Sequence, residues 1–257
     1  MYRFLLTRRW LGLLLLALVV AASCVQLGRW QLHRLEARHA KNDIITGNAS
    51  ARPVQPGEVV GVGQGPAVDE QYTRIRATGH YDPARQLLVR NRPFQGGVGF
   101  YVLVPLVTDE GPALLVNRGW VALGDGVGGA PAVPAPPAGQ VTVTGRIRPS
   151  EPASTTGTPP RGQVTRIDVS SIRRGLPYAM YGGYADLVEE RPSPREAPAL
   201  LPPPETSEGP HLAYAFQWFL FACLALGGYV VLARREAADR RAAASRPTRS
   251  VPVTIPG

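Results

Sequence analysis

The last apolar run of the chain begins His211-Leu212-Ala213-Tyr214-Ala215-Phe216-Gln217-Trp218-Phe219 and stays uncharged from Leu212 to Ala233. An α-helix rises about 1.5 Å per residue, so this run is long enough to cross a hydrocarbon core about 30 Å thick. Two arginines, Arg234 and Arg235, follow it at once. The sequence therefore predicts a membrane-spanning helix over residues 211–233.

A second apolar run, Trp10 to Gly28, lies near the other end of the chain, after a basic leader over residues 1–9. It predicts a first membrane-spanning helix. Ala21-Ala22-Ser23 before Cys24 resembles a lipoprotein cleavage site, so the alternative is a removable signal sequence. The run is long for a signal core and continues as a helical pattern past Cys24, which favours the span.

Basic residues near the spans indicate the orientation, because lysine and arginine in short loops stay on the cytoplasmic side. Residues 202–210, before the second span, contain no lysine or arginine, whereas four arginines lie within residues 234–241 after it. Both termini are therefore predicted to be cytoplasmic and the central domain extracytoplasmic. Lys41 is the single lysine beside many arginines and alanines, a bias typical of a GC-rich bacterium, which predicts a bacterial cell membrane.

The net charge of +9 and the pI of about 10.1 arise largely from the flanks of the two spans. Anionic membrane lipid is the simplest partner for such arginines, and nucleic-acid binding is not expected. Both cysteines, Cys24 and Cys223, lie inside the predicted spans. The outer domain is therefore expected to depend on apolar burial, without a disulfide or a cysteine-ligated metal.

The segment between the spans is predicted to be mainly β. Several stretches rich in β-branched and aromatic residues alternate in part and stop at glycine or turn residues. Short strands at this spacing predict an antiparallel sheet or a small barrel. The strands are predicted at Tyr72–Thr78, Gln86–Val89, Tyr101–Val107, Ala113–Val121 and Val141–Ile147, with a weaker sixth at Val164–Val169.

Helical periodicity continues from Val25 to Ile45 and recurs at Val169 to Arg174. Residues 124–139 are dominated by Gly, Ala and Pro and predict a loop, and residues 191–210 contain seven prolines and predict a semi-rigid spacer. The predicted order is a basic cytoplasmic leader (1–9), transmembrane helix 1 (10–28), a juxtamembrane helix (29–46), an extracytoplasmic β-rich domain (47–190), a proline-rich linker (191–210), transmembrane helix 2 (211–233) and a basic cytoplasmic tail (234–257).

Several short motifs occur in a distinctive order between and beside the two spans. They are Leu27-Gly28-Arg29-Trp30-Gln31-Leu32-His33-Arg34, Thr78-Gly79, Val89-Arg90-Asn91-Arg92, Gly97-Val98-Gly99-Phe100, Leu115-Val116-Asn117-Arg118-Gly119-Trp120-Val121 and the run His211 to Phe219. With these motifs the chain resembles the surfeit-locus family of cytochrome c oxidase assembly factors over nearly its whole length.

The resemblance implies a two-span membrane protein that helps to mature the catalytic subunit of a haem-copper oxidase. Members of the family are thought to receive haem a from a donor protein or to hold it near that subunit, and some bacterial members bind haem through a histidine that corresponds to His211. The family often has asparagine just before this histidine, where this chain has Gly209-Pro210. A proline often follows the strand motif, where this chain has Ala122.

The second span carries one stripe of aromatic and small side chains. Imidazole is a good axial ligand of haem iron, and aromatic edges supply apolar contact, so the stripe predicts a haem face with His211 as the ligand. The alternative is an ordinary membrane helix, since tyrosine and tryptophan concentrate at membrane surfaces and small residues mark helix packing. At 100° per residue, the residues within about 60° of His211 are Tyr214, Trp218, Ala222, Ala225 and Tyr229.

Two further pairs are predicted to bind ligands or partners. Trp30 and Arg34 lie four residues apart on a helix and can stack, and an arginine at the membrane surface can bind a haem propionate or a lipid phosphate. The alternative is an aromatic anchor beside a snorkelling cation. Arg118 and Trp120 are predicted to face a partner protein, the alternative being a structural role in the sheet.

Signatures of catalysis and of other metals are missing from the sequence. It contains no Gly-x-Ser-x-Gly, phosphate loop, His-x-x-x-His or Cys-x-x-Cys motif. We therefore expect an assembly factor, not an enzyme, that holds or delivers haem a. The alternatives are a scaffold that stabilises an oxidase intermediate through its β domain without haem, and an enzyme of haem a metabolism.

Overall fold

Two long helices lie near the ends of the chain. Helix α1 covers Arg8–Ser50 and helix α3 covers His211–Ala244, and one short helix, α2, covers Val169–Arg173. The structure, a computed structural model, describes residues 3–124, 131–153, 157 and 159–244. The predicted leader, the loop over residues 124–139 and the tail over residues 234–257 lie partly outside these described residues. The chain divides into one unit of residues up to Ala40 and from Glu208 onward, and a second unit, Lys41–Ser207.

The first unit is a helix pair, in which α1 and α3 pack through small residues. Ala21 and Cys24 are buried in one cluster with Ala222. A Cβ on Gly28 would lie 2.8 Å from the ring of Phe219, so this glycine permits the close approach of the two helices. Contacts fall along α3 as they rise along α1, which makes the pair antiparallel. In that order they join Trp10 to Tyr229, Cys24 to Ala222, Gly28 to Phe219 and Gln31 to His211.

The other faces of both helices carry large apolar side chains outward. Leu15 is 63% exposed and Phe216 is 71% exposed. Both helices are long and apolar enough to cross a membrane, and this confirms the predicted pair of flanking membrane helices. Helix α1 includes residues 10–28 and residues 29–46 without a break.

The second unit is built on seven strands. Their order in the sheet is β1-β5-β7-β4-β3-β2-β6, and β1 also pairs with β3, so β1, β5, β7, β4 and β3 close a five-stranded barrel. The predicted mainly-β domain is therefore confirmed. The strands are β1 Arg74–Tyr81, β2 Leu87–Phe94, β3 Gly97–Thr108, β4 Ala113–Ala122, β5 Gln140–Pro149, β6 Gln163–Val164 and β7 Met180–Arg191.

The sheet is mixed, which differs from the predicted antiparallel arrangement. Strand β7 runs parallel to β4, and β6 runs parallel to β2. The five main predicted strands are present as β1 to β5, whereas the weaker sixth is reduced to β6 and is followed by α2. Strand β7 lies between β5 and β4 and was not predicted, because Gly182 and Gly183 interrupt its apolar pattern.

Alternation along the strands gives the barrel an inner and an outer apolar layer. Val102, Val104 and Leu106 of β3 belong to the inner core and are 0% exposed. Leu103 and Leu115 point the other way and pack with Ile167, Val169 and Tyr184 in a second cluster. Full burial of each such aliphatic side chain contributes about 1.5–3 kcal/mol.

The proline-rich residues 191–210 contact the barrel as they cross it. The backbones of Ala199 and Trp120 exchange two hydrogen bonds of 2.8 Å. Arg146 donates to the carbonyl of Leu201 at 3.1 Å. Further on, the Asn42 side-chain amide donates to the carbonyl of Thr206 at 2.7 Å.

Candidate functional site

His211 is the first residue of α3 and lies at the end of the helix pair. The chain enters the helix through Gly209, which has a φ of +69°, and Pro210, whose carbonyl accepts the Tyr214 N–H. A Cβ on Gly209 would lie 3.5 Å from His211 Nε2 and Cδ2. The glycine therefore leaves the Nε2 side of the ring without a neighbouring side chain at that position.

The other ring nitrogen of His211 is engaged by α1. His211 Nδ1 lies 2.9 Å from Gln31 Oε1, although the two residues are 180 positions apart in the sequence. Gln31 lies three residues after Gly28 on the packed face of α1, and Gly28 allows α3 to approach. Gln31 was part of a quoted motif but was not predicted as a site residue. Its helical spacing from Gly28 and Cys24 was the available signal.

The predicted stripe on α3 faces α1 for most of its length. Ala222 is 6% exposed, and Trp218 packs on the same cluster. Tyr229 contacts Trp10 at a ring-centroid distance of 5.9 Å. Tyr214, in contrast, is 47% exposed. Helix packing thus occupies the lower part of the predicted haem face, and His211 and Tyr214 at its upper end remain accessible in part.

Trp30 and Arg34 lie on α1 on either side of Gln31. Trp30 is 56% exposed, and Arg34 is also exposed. The ring–guanidinium stacking that their spacing permits is not formed, since the cation–π contacts among the described residues involve other arginines. Both side chains are close to His211 in register but are not in contact with it.

The donor set around His211 fits a haem at one axial position. An imidazole whose Nδ1 is hydrogen-bonded, with the Nε2 side beside a glycine, is the usual arrangement of a histidine that binds metal through Nε2. Among residues 3–124, 131–153, 157 and 159–244, no group of three or more His, Cys, Asp or Glu side chains is placed to hold a metal ion. His211 would therefore hold the haem iron, with exposed aromatic side chains beside it.

The remaining histidines have carboxylate neighbours or none described. His39 Nε2 lies 3.1 Å from Glu208, and His80 Nδ1 lies 3.6 Å from Asp109. All four side chains are at least a third exposed, so these pairs are screened by solvent.

Arg118 lies inside the barrel, which corrects its predicted place on a partner-facing surface. It is 0% exposed and pairs with Glu190 at 2.9 Å. The Tyr81 hydroxyl donates to the other Glu190 oxygen at 2.8 Å, and the Arg118 guanidinium lies over the Tyr81 ring. Burial and the neighbouring Glu190 raise the pKa of Tyr81 above its usual range. Alternation along β4 explains the placement, because Arg118 follows Leu114 and Val116 on the inner face.

Trp120 is half-buried on the outside of the barrel. Its indole Nε1 donates to the Arg92 carbonyl at 2.8 Å, and its ring packs on Phe94. The ring also covers Gly99, where a Cβ would lie 2.6 Å from it. These contacts and the backbone pairing with Ala199 fix the side chain in place. A partner-facing role for Trp120 stays a prediction.

A buried carboxylate, which the sequence did not single out, lies on the outer face of the barrel. Asp186 is 5% exposed and accepts hydrogen bonds from Asn117 at 2.8 Å and from Arg148 at 3.0 Å. Burial raises the pKa of Asp186, and Arg148 offsets this only in part. Nearby, Glu151 pairs with Arg92 at 2.6 Å. Burial raises the pKa of Glu151, but the hydrogen bonds from Arg92 and from the backbone outweigh burial and leave it below its usual value.

An open cavity of about 590 Å³ lies beside strand β1. Three carboxylates line it, those of Glu58, Asp109 and Glu110, together with Arg76 and Tyr181. Two of the carboxylates are already engaged: Glu58 accepts the Gln55 N–H, and Asp109 accepts from Gln140. The cavity therefore offers little free polar chemistry.

Known proteins share this sequence over nearly its full length. The sequence model of the SURF1 family matches residues 18–223. Uncharacterized SURF1-like proteins of Mycobacterium tuberculosis and Mycobacterium bovis are 34% identical to this chain over 261 aligned residues, which cover 98% of this chain and 94% of theirs. A SURF1-like protein of Rickettsia bellii is 26% identical over 108 residues, 41% of this chain and 42% of that protein.

Proposed function

The chain belongs to the SURF1 family, and from this premise we propose that it is a membrane-anchored assembly factor for a haem-copper cytochrome c oxidase. In this proposal it holds haem a, or delivers it from a donor protein, to the catalytic subunit of the oxidase, and performs no catalytic turnover. It lies in a bacterial cell membrane with both termini in the cytoplasm and the barrel outside.

The observation that carries the haem-holding role is the geometry of His211. The imidazole stands at the end of the helix pair, with Nδ1 held by Gln31 at 2.9 Å and Nε2 beside Gly209. A haem bound there supplies an iron that accepts the Nε2 lone pair. Tyr214 and Trp30 expose about half of their surface and offer apolar contact to a macrocycle. Arg34 is placed to meet a propionate or a lipid phosphate.

Haem content tests this proposal. We expect the protein, purified in mild detergent from cells that make haem a, to contain stoichiometric haem by pyridine haemochrome analysis. His211→Ala should lose the haem while inserting normally, because the ligand is removed and the helix is kept. His33→Ala is the matched control, since His33 is an exposed histidine on α1. Unchanged haem in His211→Ala would refute the ligand assignment.

A second candidate function, a scaffold without haem, is favoured by the packing of α3. Trp218, Ala222 and Tyr229 face α1, so much of the predicted haem stripe serves helix pairing. A scaffold would act through the barrel, where Trp120 is the predicted partner residue that keeps some exposure. It predicts that oxidase assembly in cells tolerates His211→Ala and fails with Trp120→Ala. Absence of haem from the purified wild-type protein would also favour it.

A further inference from the structure

We propose that Gln31 is a positioning residue for His211: its amide oxygen holds the proton of the imidazole on Nδ1 and leaves the lone pair on Nε2. This inference rests on the proposed haem-holding function, because it assigns to Gln31 the task of preparing His211 as an iron ligand. Gln31 itself touches neither iron nor macrocycle in this account.

The chemistry follows from the atoms in contact. Gln31 Oε1, a carbonyl oxygen that only accepts hydrogen bonds, lies 2.9 Å from His211 Nδ1. A neutral imidazole carries one proton on one of its two nitrogens. The contact is a hydrogen bond only if Nδ1 carries that proton. Nε2 is then unprotonated and can donate its lone pair to a metal.

Helix packing fixes Gln31 in place. One helical turn before it, Gly28 meets the ring of Phe219, and a further turn back Cys24 is buried in the cluster with Ala222. Interior side chains at such contacts have few alternatives, so the backbone of Gln31 is held relative to α3. The amide needs only its own rotamer to reach the ring, and Gln31 is half-buried there.

The opposite side of the ring is kept open. Gly209 has a φ of +69°, which disfavours residues with a side chain, and a Cβ there would lie 3.5 Å from Nε2. One nitrogen of His211 is thus satisfied by α1, and the other lies beside a residue without a side chain. An acceptor on the distal nitrogen of a metal-binding histidine typically contributes a factor of about 10–100 in metal affinity.

The first test reads the tautomer in the haem-free protein. Nitrogen NMR of the full chain carrying isotope-labelled histidine, at mildly alkaline pH, distinguishes protonated Nδ1 from protonated Nε2, and His211→Ala assigns the signal. We expect protonated Nδ1 in the wild type and in Gln31→Glu, which keeps an acceptor, and protonated Nε2 in Gln31→Leu. Protonated Nε2 in the wild type, or no change in Gln31→Leu, would overturn the inference.

The second test measures haem binding to the same proteins. Gln31→Leu should weaken haem affinity about tenfold or more, whereas Gln31→Glu should retain it. Gln26→Leu is the matched control, because Gln26 is an exposed glutamine on the same helix. A changed tautomer with unchanged affinity would overturn the positioning role. Failure of the wild type to bind haem would refute the proposed function alone, since the tautomer result is obtained without haem.

Discussion

Apolar side chains face outward on the helix pair and inward in the barrel. On the helices, Leu16 and Leu224 are each 59% exposed, whereas Leu114 and Ile147 of the barrel are 0% exposed. The helix pair packs through small residues around Gly28, because lipid is as apolar as a leucine side chain and rewards close contact more than burial. The barrel packs large aliphatic residues, because it is built for water. The two units therefore respond to substitution through different physical terms.

Charged groups differ between the two units in the same way. The barrel encloses a fully buried ion pair between Arg118 and Glu190, whereas the described hydrogen bond that joins the helices is the neutral contact of Gln31 with His211. Buried ions are costly unless each is paired, so the barrel depends on complete networks. The helix pair depends on shape. Three predictions follow from this contrast, in addition to the tests of His211 and Gln31.

The largest effect is expected in the barrel, from Arg118→Met. This change leaves the Glu190 carboxylate buried without its cation, and breaking such a pair typically costs about 3–5 kcal/mol. Thermal or urea unfolding of the full chain in mild detergent, followed by near-ultraviolet circular dichroism, measures the loss. Arg191→Met is the control, because its pair with Glu189 is 76% and 47% exposed and should contribute less than about 1 kcal/mol. Equal effects of the two variants would contradict the buried-pair explanation.

A smaller effect is expected in the helix pair, from Gly28→Ile. The added side chain meets the Phe219 ring, and overpacking of this kind typically costs about 1–3 kcal/mol. Gly12→Ile is the control, because a Cβ on Gly12 meets nothing within 4 Å. Disulfide formation between Cys24 and Ala222→Cys, in a Cys223→Ser background, reports pairing. We expect Gly28→Ile to slow it and Gly12→Ile to leave it unchanged, and the opposite order would refute the close approach.

The smallest effect is a pair of opposite pH dependences within the barrel. The folded pKa of Asp186 is raised, so this carboxyl adds stability as pH falls from its folded pKa toward the ordinary value of about 4. The folded pKa of Glu151 is lowered, so its contribution is present above the ordinary value and is lost on acidification. Relative to the wild type, acid should therefore destabilise Asp186→Asn more and Glu151→Gln less. Melting temperatures across this pH range test the signs, and equal slopes for the two variants would contradict them.

Local patterns predicted most of the fold. Hydropathy located both long helices, and alternation located β1 to β5, because those signals lie within a single element. Strand β7 escaped, since close approaches require its glycines: a Cβ on Gly182 would lie 2.3 Å from the backbone of Gln64. The parallel pairing of β7 with β4 joins distant segments and leaves no local pattern in the sequence.

The candidate site was predicted less completely, for the same reason. His211 was found from its place at the start of an apolar run, but its partner Gln31 lies 180 residues away. The partner-facing assignment of Arg118 was wrong because its counter-ion, Glu190, comes from β7, which was not predicted. An unpaired arginine in a strand reads as a surface residue, whereas a paired one can be buried.

The position of β7 in the barrel also constrains how the chain is made. Strands β4 and β5 emerge early in synthesis, yet the strand that joins them ends only at Arg191, after all the others. Until then both keep an open edge, the condition in which nascent sheets mispair and aggregate. The ribosome must therefore complete β7 before the barrel can close, and α3 begins 20 residues later, at His211. A slow stretch of translation within those residues would give the barrel time to close before the last helix is inserted.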